Sequence, residues 1–126
     1  MMQNFLFRGK TKDTNKWVYG PLAMFHSSKE DKYVYHIQEF FGDTNSGYIA
    51  KEVIPETVGQ YTGITDKTGE KIFVGDILEI YRYSVFCGRV VFENGCFGVV
   101  EWKYQDFLPM YSIQNLSIKI IGDVYK

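Results

Sequence analysis

The sequence predicts a mainly β protein, with a small, strongly bent barrel in the C-terminal half and an N-terminal β extension before it. Composition is the first sign. There are 11 Val, 11 Ile, 7 Thr and 22 aromatic residues, 51 of 126 in all, against 2 Ala and 5 Leu. β-Branched and aromatic side chains suit a pleated surface, whereas Ala and Leu favour helices. The second sign is alternation of residue character over short runs. The third is punctuation: about five or six short strands are separated by turns over roughly the last seventy residues, which fits a small barrel better than a large sandwich. These observations exclude a helical bundle, a coiled coil and a disordered chain, and argue against a large cofactor enzyme. Apolar residues make up 45% of the chain, enough for a core without disulfides.

Residues 4–8, Asn-Phe-Leu-Phe-Arg, read as a first strand closed by Gly9, with turn residues at Lys12-Asp13-Thr14-Asn15. Lys16 to Phe25 reads as a second strand interrupted at Gly20-Pro21, where Pro21 demands an edge or a bulge. Ser27 to Asp31 is a polar loop. Ser28 and Asp31 resemble a helix cap, but Tyr33, Tyr35 and Ile37 alternate with Val34, His36 and Gln38, so Tyr33 to Phe41 is expected as strand. Gly42 to Gly47 carries the longest loop signal, and Tyr48 to Ile54 is a further strand or irregular segment ending at Pro55.

Asp66-Lys67-Thr68-Gly69 has the Asp-first, Gly-fourth pattern of a type I turn within a hairpin loop. Gly75-Asp76 makes a second sharp turn, with the Asp side chain expected to accept from nearby amides. Ile77 to Tyr83 alternates as a strand. Asn94-Gly95 between two strand-like runs, Val85 to Phe92 and Cys96 to Trp102, is the strongest short hairpin signal. A type I′ turn there sets Glu93 opposite Cys96, Phe92 opposite Phe97 and Val90 opposite Val99. Phe86, Val90, Phe92, Phe97 and Val99 then share a face expected to be core. A three-residue loop would shift this register by one. Asp106 to Tyr111 is expected as loop, and Leu116 to Ile121 as the last strand. Pro55 and the change in turn spacing divide the chain into an N-terminal β segment, 1–52, and a barrel domain, 53–126, which stand apart or form one compact unit.

Net charge is −1, evenly spread, so no global field draws nucleic acid or anionic lipid. Arg8, Lys10, Lys12 and Lys16 against Asp13 form the only local basic excess. A solvated loop is its default role, with phosphate binding the alternative. No apolar run approaches the ~20 residues that span a bilayer, and Met1 to Lys10 lacks an apolar leader core. The expectation is a soluble, cytoplasmic protein with no membrane partner.

No catalytic residues are expected, and no cofactor or metal. The Gly-x-Ser-x-Gly, Walker A and His-Glu-x-x-His patterns are missing from the sequence. Cys87 and Cys96 lie about six strand positions apart in the hairpin register, roughly 20 Å, too far for a disulfide. With His26 and His36 they lack zinc-ligand spacing.

The aromatics first serve a core poor in Leu, then a protein interface, and last base stacking. Trp17, Tyr19, Tyr33 and Tyr35 are the candidate interface, since the barrel should satisfy its own core. A near-neutral chain with exposed edges and apolar patches favours a homo-oligomer. Arg8, Lys10, Arg82 and Arg89 are the candidate nucleic-acid contacts of an alternative reading, in which the basic stretch and barrel aromatics bind nucleic acid weakly. Nucleic acid is not expected as the principal ligand.

Three blocks carry a resemblance. Phe7-Arg8-Gly9-Lys10 is followed by Trp17-Val18-Tyr19-Gly20. A long run extends from Glu56-Thr57-Val58-Gly59-Gln60-Tyr61 through Asp66-Lys67-Thr68-Gly69 to Val74-Gly75-Asp76-Ile77. Ile120-Ile121-Gly122-Asp123-Val124-Tyr125 lies near the end. Together they resemble the YopX family of bacteriophage and prophage proteins over nearly the whole chain. Val74 and Asp123 stand where relatives often carry Glu and Asn, both at turns. The resemblance implies an SH3-like C-terminal barrel, a phage or prophage origin, a bacterial cytoplasmic setting and a phage or host protein as possible partner. It implies no reaction and no catalytic residue. The expected role is a non-catalytic β module acting through protein–protein contact.

Overall fold

The computed structural model describes residues 6–40 and 47–125. The loop expected at 42–47 therefore lies, except for Gly47, outside the described residues, as do the first two residues of the strand expected at 4–8. The chain divides into two compact units, Met1–Gln60 and Tyr61–Lys126.

In the first unit, β1 (Phe7–Lys10) and β2 (Trp17–Gly20) form an antiparallel hairpin with Gly9 opposite Val18. Gly59 and Gln60, which begin β6 (Gly59–Thr65), pair with Arg8 and Phe7 on the other side of β1. A three-stranded antiparallel sheet follows, in the order β3 (Leu22–Ser27), β4 (Lys32–Phe40), β5 (Tyr48–Glu52). Gly20-Pro21 separates β2 from β3, as the proline required. A Cβ at Gly20 would lie 2.2 Å from the Gln38 carbonyl oxygen, so the tight entry into β3 admits only glycine. The core of this unit is small: Val18, Ile37 and Val53 are buried, with Phe7, Leu22, Tyr35 and Val58 packed around them.

Two threonines hold the irregular backbone here. Thr57 Oγ1 accepts from the Lys10 amide at 2.9 Å and donates to the Ile54 carbonyl at 2.6 Å. Thr11 Oγ1 accepts from the Lys16 amide at 3.2 Å. Both residues are buried.

The second unit contains the rest of β6, then β7 (Lys71–Phe73), β8 (Asp76–Tyr81), β9 (Val85–Glu93), β10 (Cys96–Glu101), β11 (Phe107–Pro109), the single helical turn α1 (Met110–Ile113) and β12 (Ser117–Asp123). Five of its strands form one antiparallel sheet in the order β11-β10-β9-β8-β12. Its core joins Ile72, Leu78, Ile80, Val90, Val99, Met110, Ile113 and Ile118.

The Asn94-Gly95 hairpin has the expected register, with Cys96 opposite Glu93, Phe97 opposite Phe92 and Val99 opposite Val90. Asn94 and Gly95 take φ of 54° and 79°, the left-handed pair a type I′ turn requires. Val90 and Val99 are buried as expected, but Phe92 is 55% exposed. It stands at the turn end of the ladder, beyond the core, where its ring packs edge-to-face with Phe97 at 4.9 Å. Cys87 and Cys96 are both free thiols.

The expected loop over 106–111 is instead β11 and α1. Phe107 and Leu108 pair with Val100 and Val99, in a strand too short to show a period. Pro109 then starts the helical turn with φ of −58°, the value its ring imposes. Among the described residues no ladder closes the five-stranded sheet, so the mainly β architecture is as expected but no closed barrel is found. β12 instead meets a turn: Lys67 donates its amide to the Ile118 carbonyl at 2.9 Å, and the Ile120 amide donates to Asp66 Oδ2 at 3.1 Å.

Candidate interaction surfaces

Each unit has a place where exposed apolar or aromatic side chains gather. In the first unit, β4 pairs with β3 so that Leu22 faces Ile37, Met24 faces Tyr35 and His26 faces Tyr33. These pairs share one face of the sheet, because directly opposed residues point the same way. Ile37 is fully buried at the inner end, whereas Met24 and Tyr33 are 56% and 57% exposed at the outer end. The opposite face carries Ala23, Phe25, Val34 and His36, and Phe25 is 51% exposed with its ring edge-on to His36 at 5.2 Å. Tyr33 meets His26 in the same fashion at 5.2 Å.

Of the candidate interface residues, Tyr19 and Tyr33 are exposed and Tyr35 is half-buried against the small core. Trp17 is half-buried, with the Arg8 guanidinium 4.2 Å from its ring and the Lys10 ammonium 5.3 Å away. Met24 and Phe25 were missed. Their signal was there: three consecutive large residues, Met24-Phe25-His26, leave no side for a strand to hide.

Of the nucleic-acid candidates, Arg8 and Lys10 both lie beside the Trp17 ring in the first unit. Arg8 is 5% exposed, withdrawn beneath Trp17 and unavailable as a surface phosphate contact. Arg82 and Arg89 lie towards opposite ends of the β8–β9 ladder, whose end pairs are Tyr81 with Val85 and Ile77 with Arg89.

The second surface surrounds Arg82. The β8–β9 tip and the loop after β10 enclose an open groove of ≈ 380 Å³ lined by Arg82, Val85, Phe86, Lys103, Tyr104 and Asp106 among others. Tyr83 is 91% and Tyr104 68% exposed. Each has a cation beside its ring, Arg82 at 5.9 Å and Lys103 at 5.2 Å. The loop is fixed by Glu101, whose carboxylate accepts from the amides of Lys103 and Tyr104 at 2.6 and 2.8 Å.

Carboxylates hold the turns of the second unit. Asp66 Oδ1 accepts from the Thr68 amide, the Thr68 hydroxyl and the Glu70 amide at 2.7–3.0 Å, while Oδ2 accepts from Ile120. Burial raises the carboxyl, but these four hydrogen bonds outweigh it and hold its pKa down at about 2, from an ordinary 3.8. Gly69 closes the turn with φ of 92°. Asp76 Oδ2 accepts from the Phe73 amide at 2.8 Å, as expected of that turn. At Gly75, with φ of 99°, a Cβ would lie 2.6 Å from the Tyr125 ring, and the Gly75 carbonyl accepts from the Val124 amide. The central and terminal blocks are therefore two halves of one set of contacts. Among the described residues no group of three or more His, Cys, Asp or Glu is placed to hold a metal ion, and no helix is long and apolar enough to cross a membrane.

The profile of the YopX protein family matches residues 6–126, and the chain belongs to that family. A solved structure, the X-ray crystal structure of protein yopX from Bacillus subtilis, matches with a TM-score of 0.58 at 20% identity, covering 97% of this chain and 94% of that chain. At that identity it shows the shared fold. Among curated proteins nothing matches.

Proposed function

We propose that this YopX-family chain is a non-catalytic β module that works by binding other protein chains, its own copies among them, in the cytoplasm of a bacterium carrying the phage or prophage. The observation that carries the reading is the outer end of β3 and β4, where Met24, Phe25 and Tyr33 are each more than half exposed on regular strand. Met24 and Tyr33 expose apolar surface on one face of the sheet and Phe25 on the other, and apolar side chains exposed on an edge strand and its neighbour are ordinarily covered by a partner. We read the second unit as an SH3-like barrel left open on one side, supported by the bonds from Asp66 and Lys67 that tie the β6–β7 hairpin to β12. Affinity capture from infected or lysogenic cells tests the role. The wild-type chain should retain a stoichiometric protein partner that a Phe25→Ser, Tyr33→Ser variant loses. Equal retention by both, or none by either, refutes the reading.

A second reading draws on the Arg82–Tyr83 and Lys103–Tyr104 pairs, which match the aromatic-plus-cation platforms of single-strand binders. Asp106 and Glu101 bring negative charge to the same groove, which places this reading second. Titration of fluorescent single-stranded DNA and RNA at ~0.15 M salt should give dissociation constants weaker than ~10 µM. Saturable submicromolar binding, weakened by Arg82→Ala, would promote it.

A further inference from the structure

Strand β3 is one edge of its sheet, with β4 as its ladder partner among the described residues. The direction of its outward backbone groups follows from one bond. The Gln38 amide donates to the Pro21 carbonyl at 3.0 Å, one step beyond the Leu22–Ile37 pair. In an antiparallel ladder a residue's N–H and C=O point to the same side, and successive residues alternate. Pro21, Ala23, Phe25 and Ser27 therefore turn their polar groups towards β4, and Leu22, Met24 and His26 turn theirs outwards.

We infer that this edge pairs antiparallel with the same edge of a second copy of the chain, about a twofold axis through Met24, giving a continuous six-stranded sheet. The inference rests on the protein-binding reading above and names one partner for it. Outward groups must meet outward groups, so only pairings with even-numbered residues opposite even-numbered ones form hydrogen bonds. With Met24 opposite Met24 of the second copy, Leu22 faces His26 in both directions. All the outward donors and acceptors are then satisfied, about six bonds in total.

Side chains and charge fit the same register. Ala23 faces Phe25 of the second copy, twice, so the half-exposed ring lies over the smallest side chain of the strand. On the other face the two Met24 side chains meet between the two Tyr35 residues. Residues 20–28 carry no Asp, Glu, Lys or Arg, and the first charge beyond them, Lys29, falls opposite Tyr19, so no like charges oppose across the axis. The N–H that Pro21 lacks would point towards β4, so its absence removes no bond from the pairing between copies.

Sedimentation velocity and oxidative cross-linking on the purified full chain test this. The wild type should sediment as twice 14.7 kDa at the upper end of a ~1–100 µM series. Met24→Pro deletes an outward N–H and spares every bond to β4. It should weaken the dimer by ~30-fold or more, two bonds lost per dimer, with an unchanged far-ultraviolet circular dichroism spectrum. In a Cys87→Ser, Cys96→Ser background, Met24→Cys sets two Cα atoms about 5.5 Å apart, within disulfide reach, and should cross-link under mild oxidation. Phe25→Cys should not, because Ala23 faces it. A wild-type dimer indifferent to Met24→Pro, with no Met24→Cys cross-link, overturns this edge and leaves self-association standing. Faster cross-linking of Phe25→Cys than of Met24→Cys overturns the register. A wild-type monomer throughout overturns the edge pairing, while partner capture that depends on Phe25 and Tyr33 is read separately.

Discussion

The two units fix their irregular backbone with different chemistry. In the first, Thr11 and Thr57 hydroxyls accept the stray amides. In the second, the carboxylates of Asp66 and Asp76 do so. A hydrogen bond to an ionised acceptor is roughly twice as strong as a neutral one, and it is lost when the acceptor takes a proton. The second unit should therefore depend more on single residues and on acid. The same contrast extends to apolar surface. Tyr83 and Tyr104 of the second unit sit on turns beside cations, whereas Met24, Phe25 and Tyr33 of the first lie on ordered strand.

The largest expected effect is at Asp66. Replacing it by Ala strands the amides of Thr68, Glu70 and Ile120 around a buried gap. Each unsatisfied buried donor costs ~1–3 kcal/mol, so Asp66→Ala should destabilise the chain by about 4 kcal/mol in urea unfolding followed by tryptophan fluorescence. A loss below ~1 kcal/mol would show that the carboxylate is not what fixes the turn.

Thr57→Val is the matching change in the first unit. It keeps the shape and removes one acceptor and one donor, and should cost about 2 kcal/mol in the same assay. A cost equal to that of Asp66→Ala would erase the contrast between hydroxyl and carboxylate.

Acid sharpens it further. The Asp66 carboxyl sits at about 2 when folded, against an ordinary 3.8, so the unfolded chain takes up the proton first. Its contribution is complete above about pH 4 and is lost as pH falls through about 2. Unfolding free energy measured from pH 5 to pH 2 should fall in that window, and Asp66→Asn should flatten this part of the slope. Thr57→Val should leave the slope as in the wild type.

The smallest effect is expected at Phe25. With its ring half exposed, Phe25→Ser should shift stability by less than ~0.5 kcal/mol while removing partner retention. A loss of several kcal/mol would make Phe25 a packing residue and remove the basis for a docking strand.

Local sequence chemistry was enough wherever the deciding interaction is short in range. Asn94-Gly95 set both its turn and its register, Asp66 to Gly69 marked the hairpin loop, and Pro21 separated β2 from β3. Reading fell short where a strand was too short to show alternation, as at Phe107 to Pro109. It also fell short where position along a ladder decided burial. Phe92 has the right parity for the core, yet lies beyond the core's end.

By itself, then, the sequence determined a β fold, its turns, the Asn-Gly register and membership of the family, because φ preferences, turn chemistry and side-chain alternation act between residues close in the chain. Tertiary structure alone decided that Arg8 would lie buried beneath Trp17, that Asp66 would reach the Ile120 amide 54 residues away, and that β3 would end as an edge. Those outcomes depend on which distant segments arrive beside a residue. Two arginines with the same charge, Arg8 and Arg82, ended one beneath an indole and the other on an open tip because the strands around them pair differently.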